Sequence, residues 1–131
     1  VATAPQYAVT PRAMCGLVPS TADTSFTAPT HVTSLGSAGT NGTKVAEIDV
    51  TPVGTTIVAS LVNLWAYDGT TYHLFTSVTI AAATYSTTAA PVTQPFYFDN
   101  LVLPSGWSLA ISNTVAGNVS LVEVCAFGAD L

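Results

Sequence analysis

The sequence predicts an all-β, single-domain sandwich of about eight antiparallel strands, jelly-roll-like, with an immunoglobulin-like sandwich as the alternative. Three observations lead there. Runs rich in Val, Ile and Thr recur along the chain, separated by Gly-, Pro- and Asn-containing turn signals. Several of these runs alternate apolar and polar residues with the period of two that a half-buried strand requires. No stretch carries a convincing helical period. A length of 131 residues suits one domain with a core of its own.

The elements follow in chain order. Val1–Pro11 holds two prolines among small residues and reads as an extended N-terminal arm, with 12–131 as the sandwich domain. Ala13–Val18 is the first expected strand, stopped by Pro19. A second lies in Phe26–Leu35, split at Pro29, and Gly36–Gly42 is a turn. In Val45–Val50, Ala46, Ile48 and Val50 share one phase and Glu47 and Asp49 the other. Ile57–Tyr67 is apolar on both phases, so both of its faces are expected to be covered. Asp68-Gly69 then joins it to Tyr72–Ile80 through a tight hairpin turn, making this centre a β-meander. Ala81–Thr93 is a connection of small residues. Pro95–Leu103 is a strand, and Leu103-Pro104-Ser105-Gly106 a turn with Pro at its second position. Trp107–Ser112 and Val119–Phe127 are the last strands, with Ala116–Val119 as a hairpin turn between them and Gly128–Leu131 as a tail.

Composition narrows the function. Only 7% of residues are charged, against roughly 25% in an average domain. Arg12 and Lys44 are the only cations, and the formal net charge is −5. Direct nucleic-acid binding needs a basic footprint, so it is not expected. Docking on anionic lipid is disfavoured for the same reason. The longest apolar run is interrupted by Ser60 and Asn63 and falls short of the roughly 20 residues of a membrane-spanning helix. A polar but uncharged surface, rich in Thr and Ser, fits a subunit of a larger assembly.

No constellation points to catalysis. There is no G-x-S-x-G elbow, no phosphate-binding glycine motif and no zinc spacing. The chain is therefore expected not to be an enzyme, with no catalytic residue, metal or cofactor. Glu47 and Asp49 share a strand face that solvation explains. Cys15 and Cys125 lie near opposite ends of the chain and are expected to be buried free thiols. Trp65, Tyr67, Tyr72, Tyr97 and Trp107 offer either packing or a sugar-stacking platform. Packing is the simpler reading.

Certain motifs resemble a known family. G-T-N-G-T-K-V at 39–45, G-T-T at 54–56 and L-W-A-Y-D-G-T-T-Y-H-L-F at 64–75 look like small tailed-bacteriophage proteins encoded beside the major capsid protein. A-P-Q-Y-A-V-T-P at 4–11 resembles the family's start, and L-P-S-G-W-S-L at 103–109 with A-F-G-A-D-L at 126–131 its close. Residues 110–125, AISNTVAGNVSLVEVC, depart from the polar His/Asn hairpin common there. The resemblance implies a head-decoration (cement) protein on the outer surface of the virion capsid. Such a protein clamps neighbouring major capsid subunits after head expansion and is often a homotrimer. On that reading the arm, with Val1, Pro5, Tyr7 and Pro11, is expected to contact the capsid, and Trp65 and Tyr67 a neighbouring subunit. The alternative from another class is a tail- or fibre-associated module binding host glycan.

Overall fold

The computed structural model describes residues 10–118 and 120–131. It is all-β apart from one short 3₁₀ turn. Ten strands form: β1 Thr10–Leu17, β2 Thr33–Ser37, β3 Thr43–Pro52, β4 Thr56–Ile57, β5 Ser60–Tyr67, β6 Tyr72–Ile80, β7 Ala83–Thr84, β8 Gln94–Leu103, β9 Ser108–Asn113 and β10 Val122–Asp130. The eight longer ones make two four-stranded antiparallel sheets, ordered β1-β10-β3-β8 and β2-β9-β5-β6. The two-residue strands β4 and β7 pair separately.

The pairing is nested. β1 pairs with β10, β2 with β9, β3 with β8, and β5 with β6. The first half of the chain thus runs antiparallel to the second half, and this long double ribbon is folded over to give two facing sheets. Val45, Ile48, Val50, Val122 and Val124 from one sheet meet Val62, Leu64, Leu109 and Ile111 from the other in the buried core.

The β5–β6 hairpin forms as expected, though through a four-residue loop, Asp68–Thr71. Asp68 Oδ1 accepts the backbone N–H groups of Thr70 and Thr71, each at 2.8 Å, and the left-handed φ of +102° falls on Gly69. The expected three-strand meander does not form, because β3 lies in the opposite sheet from β5 and β6. The long apolar run is also interrupted. Asn118, fully buried in the Ala116–Asn118 3₁₀ turn, receives the Val58 N–H on Oδ1 at 2.8 Å. Its Nδ2 donates to Val58 O and to Ser60 Oγ. This clamp holds the kink between β4 and β5.

Other boundaries shift for identifiable reasons. Thr10 and Pro11, expected in the arm, lie in β1. Pro11 is tolerated because β1 is an edge strand. No strand forms over Phe26–Val32. That segment belongs to a loop built around Asp23, whose carboxylate accepts N–H groups from Ser25, Thr30 and His31 at 2.6–2.9 Å. Burial opposes ionisation of Asp23, but those backbone donors and the Thr30 hydroxyl outweigh it and hold the carboxyl below its ordinary value. In β3 a bulge between Val45 and Glu47 brings Val45 and Ile48 to the core side together and leaves Ala46 outside. The Trp107 N–H donates to Pro104 O, so Pro104 opens the turn instead of taking its second position. Ala116–Asn118 does not close a hairpin, since β9 and β10 lie in different sheets. Gly128–Asp130, expected as tail, completes β10. Gly128 sits at a second bulge, where an added Cβ would overlap the Lys44 carbonyl.

Nesting also corrects the cysteine expectation. Cys15 and Cys125 are directly opposed in the β1–β10 ladder, with Cα atoms 4.1 Å apart, and they form a disulfide. Neither is buried: both lie on the face of the sheet turned away from the core. The same pair of strands is tied again at its far end. Arg12 Nη1 donates to Asp130 Oδ1 at 3.0 Å, and the Thr43 hydroxyl donates to the same oxygen at 2.6 Å. The Thr43 hydroxyl and Arg12 together lower the Asp130 pKa.

Candidate functional site

The two sheets present very different outer faces. On β2-β9-β5-β6 the outward positions at the centre of the sheet are already covered, while Ser77 and Thr79 on the β6 edge are exposed. Trp65, Asn63 and Ser112 have no exposed surface, and the Trp65 indole N–H donates to Ser112 Oγ at 2.9 Å. Tyr72 meets the Trp65 ring edge-on at 6.3 Å and stacks on Tyr67 at 4.3 Å. The doubly covered strand expected from the sequence is thus present. Trp65, expected at a subunit contact, has no exposed surface in the single chain. Tyr67 is half-buried, and its hydroxyl donates to Gly69 O.

The outer face of β1-β10-β3-β8 is open. Alternation sends Val122, Val124 and Ala126 inward and Glu123, Cys125 and Phe127 outward. Register then places Thr51, Asp49 and Glu47 opposite those three outward residues, Leu17 opposite Glu123, Tyr97 opposite Glu47, and Val102 opposite Lys44. Among the described residues, eight large hydrophobics are exposed, and five of them lie on or beside this face: Leu17, Val53, Tyr97, Val102 and Phe127. Tyr97 is 74% exposed. A cluster of this kind on an otherwise small surface marks an interaction site more readily than scattered apolar residues do.

Phe127 stands between two shallow depressions. One, about 270 Å³, is bounded by Asp49, Thr51, Val53, Glu123 and Cys125. The other, about 430 Å³, is bounded by Lys44, Ala46, Glu47, Gly128 and Ala129. Asp49 Oδ1 is buried there without a hydrogen-bond partner among the described residues. The neighbouring Asp49 side chain holds the Glu47 carboxyl above its ordinary value, and burial and the Asp49 charge add to it.

Catalytic geometry is not assembled among the described residues. Thr30, His31 and Asp23 are close, but the same His31 nitrogen, Nδ1, faces both Thr30 Oγ1 at 3.1 Å and Asp23 Oδ2 at 3.9 Å. A relay needs nucleophile and acid on opposite ring nitrogens. His73 Nε2 bonds Asp68 Oδ2 at 2.9 Å and its ring stacks on Trp107, with no nucleophile bonded to it. His73, then Thr71 and Thr70, hold the Asp68 carboxyl well below the usual carboxylate range. Cys15, Glu123 and Cys125 gather within 4.8 Å, but both sulfurs are in the disulfide and supply no thiolate. The five aromatics considered as a sugar platform do not share a surface. Trp65 is buried, and Tyr97 lies on the opposite sheet from Tyr67 and Tyr72.

Of the expected capsid-contacting residues, Val1, Pro5 and Tyr7 lie outside the described residues. Pro11 is an exposed member of β1, opposite Ala129. Asp23, Asn118 and Phe127 were not singled out from the sequence. Phe127 alone carried a usable signal, an aromatic on the polar phase of a strand bounded by Glu123. No helix among the described residues is long and apolar enough to cross a membrane. Comparison with family models, curated proteins and solved structures gives no match.

Proposed function

We propose that this chain is a structural virion protein that decorates and cements the expanded bacteriophage capsid by bridging neighbouring major capsid subunits. The observation that carries the reading is the open face of β1-β10-β3-β8, which sets exposed Leu17, Val53, Tyr97, Val102 and Phe127 beside Glu47, Asp49 and Glu123, on a sandwich whose terminal strands are locked together. Its resemblance at both termini to phage head-decoration proteins supplies the identity of the partner. The nested strand pairing supports describing the sandwich as a jelly roll, an architecture at home in virus particles.

A clamp of this kind works by linkage. It binds the expanded lattice and not the unexpanded one, so it stabilises the expanded form. The geometry also sets a limit. Four strands of eight or so residues span roughly 500 Å² at ordinary strand spacing and rise. A stable interface takes about 800 Å² per partner. The face therefore works with a second contact, for which the segment preceding β1 and a homotrimeric arrangement are the proposed sources. Of the two cations, Arg12 is engaged by Asp130, which leaves little for nucleic acid or anionic membrane.

Quantitative mass spectrometry of purified virions of the encoding phage tests this directly. The expected result is a copy number of the same order as the major capsid protein. A few copies per particle would sink the cement reading and favour a tail-associated glycan-binding module instead.

A further inference from the structure

The two depressions lie on either side of Phe127 along the β3–β10 ladder, together making a shallow groove that its ring interrupts, and the chemistry of this groove is specific. Phe127, Val53, Ala46 and Ala129 supply its apolar lining. Glu47, Asp49 and Glu123 gather along it, with Lys44 at one end only. One Asp49 oxygen faces no donor among the described residues.

We propose that this groove receives an extended protein segment carrying an arginine or lysine flanked by apolar side chains. The cation sits among Glu47, Asp49 and Glu123, and the apolar neighbours pack on either side of Phe127. Charge decides the occupant. A second copy of this chain docking groove to groove would crowd the Glu47, Asp49 and Glu123 carboxylates of both copies together with only Lys44 from each to offset them, which is repulsive. An acidic partner or an anionic surface meets the same objection. An uncharged apolar strand would leave the Asp49 oxygen without a donor, at the cost of a buried unpaired acceptor. A guanidinium supplies several donors in a planar fork that matches a carboxylate pair.

In assigning the segment to the major capsid protein the proposal rests on the reading above, but its chemistry is tested separately. The probe is a short capped peptide of alternating Val and Thr with one central Arg, titrated into the isotope-labelled full chain and followed by NMR. The control peptide carries Glu in place of Arg. Amide shifts confined to Glu47, Asp49, Glu123 and Phe127 with the Arg peptide, and absent with the Glu peptide, are expected. Shifts that are absent, equal for both peptides or located on the β2-β9-β5-β6 sheet overturn the groove. So does self-association of the full chain that maps to the same residues.

The second arm uses expanded capsids lacking this protein. The double variant Asp49→Asn/Glu123→Gln is expected to bind them about tenfold more weakly than wild type, with Thr79→Ala on the opposite sheet unchanged. Equal binding by wild type and the double variant overturns the groove as the capsid contact. Failure of wild type to bind capsids at all overturns the cement reading, while the peptide titration still decides the groove.

Discussion

Replacing both Cys15 and Cys125 by Ser is expected to lower unfolding free energy by about 2–5 kcal/mol. The bond joins residues 110 positions apart, close to the whole length of the domain. In the chain-entropy account a loop of that size is worth about 4–5 kcal/mol, because the unfolded chain loses the freedom of its ends. The ladder already places the two residues opposite each other. What changes in the folded state is local. β1 is an edge strand, held on one side by β10 and at its start by Arg12–Asp130. Without the disulfide its amides should exchange faster with deuterium than those of β3, which has a partner on each side. Urea denaturation of the double variant, beside wild type with and without reductant, checks both points. Because the sulfurs lie on the outer face, reductant reaches them without unfolding. Reduced wild type should therefore match the variant. A stability loss below about 1 kcal/mol would mean that β1 adds little to the cooperative unit.

Trp65→Ala is expected to cost about 3–5 kcal/mol in the isolated chain. The indole is fully covered, and its removal strips the cover from Ser112 as well as the Tyr72 edge contact. Trp65→Phe retains most of the volume and loses the N–H bond to the buried Ser112 hydroxyl, for about 1–2 kcal/mol. The experiment separates two roles for this residue. A side chain that packs within the chain lowers the denaturation midpoint at every protein concentration. One that packs between subunits would lower it in a concentration-dependent way. Concentration-independent destabilisation is the expected outcome.

These two residues mark what the sequence reveals and where it stops. Local signals carried far. Asp68-Gly69 announced the β5–β6 hairpin because its conformational demands are met by the two residues themselves. The double apolarity of Ile57–Tyr67 announced that both faces of β5 are covered. What failed depends on global pairing. Nothing near Cys15 or Cys125 says that β1 and β10 are neighbours, so the disulfide follows only from the nested topology. The bulge after Val45 reverses the phase of Ala46, and no local residue type requires it. The loop at 19–32 is organised by one carboxylate, Asp23, reaching across to Thr30 and His31. A propensity argument cannot see that reach. The open face was hidden for the same reason: Leu17, Val53, Tyr97, Val102 and Phe127 are far apart in sequence and meet only through register.

The central claim is that this protein stabilises an expanded shell, and thermal melting of shells tests it most directly. Expanded capsids lacking the protein are melted alone and with saturating purified protein, beside unexpanded capsids treated in the same way. The account predicts a higher melting temperature for expanded shells that rises with protein concentration, and no change for unexpanded ones. An unchanged melting temperature for expanded shells, or an equal rise in both forms, would contradict it.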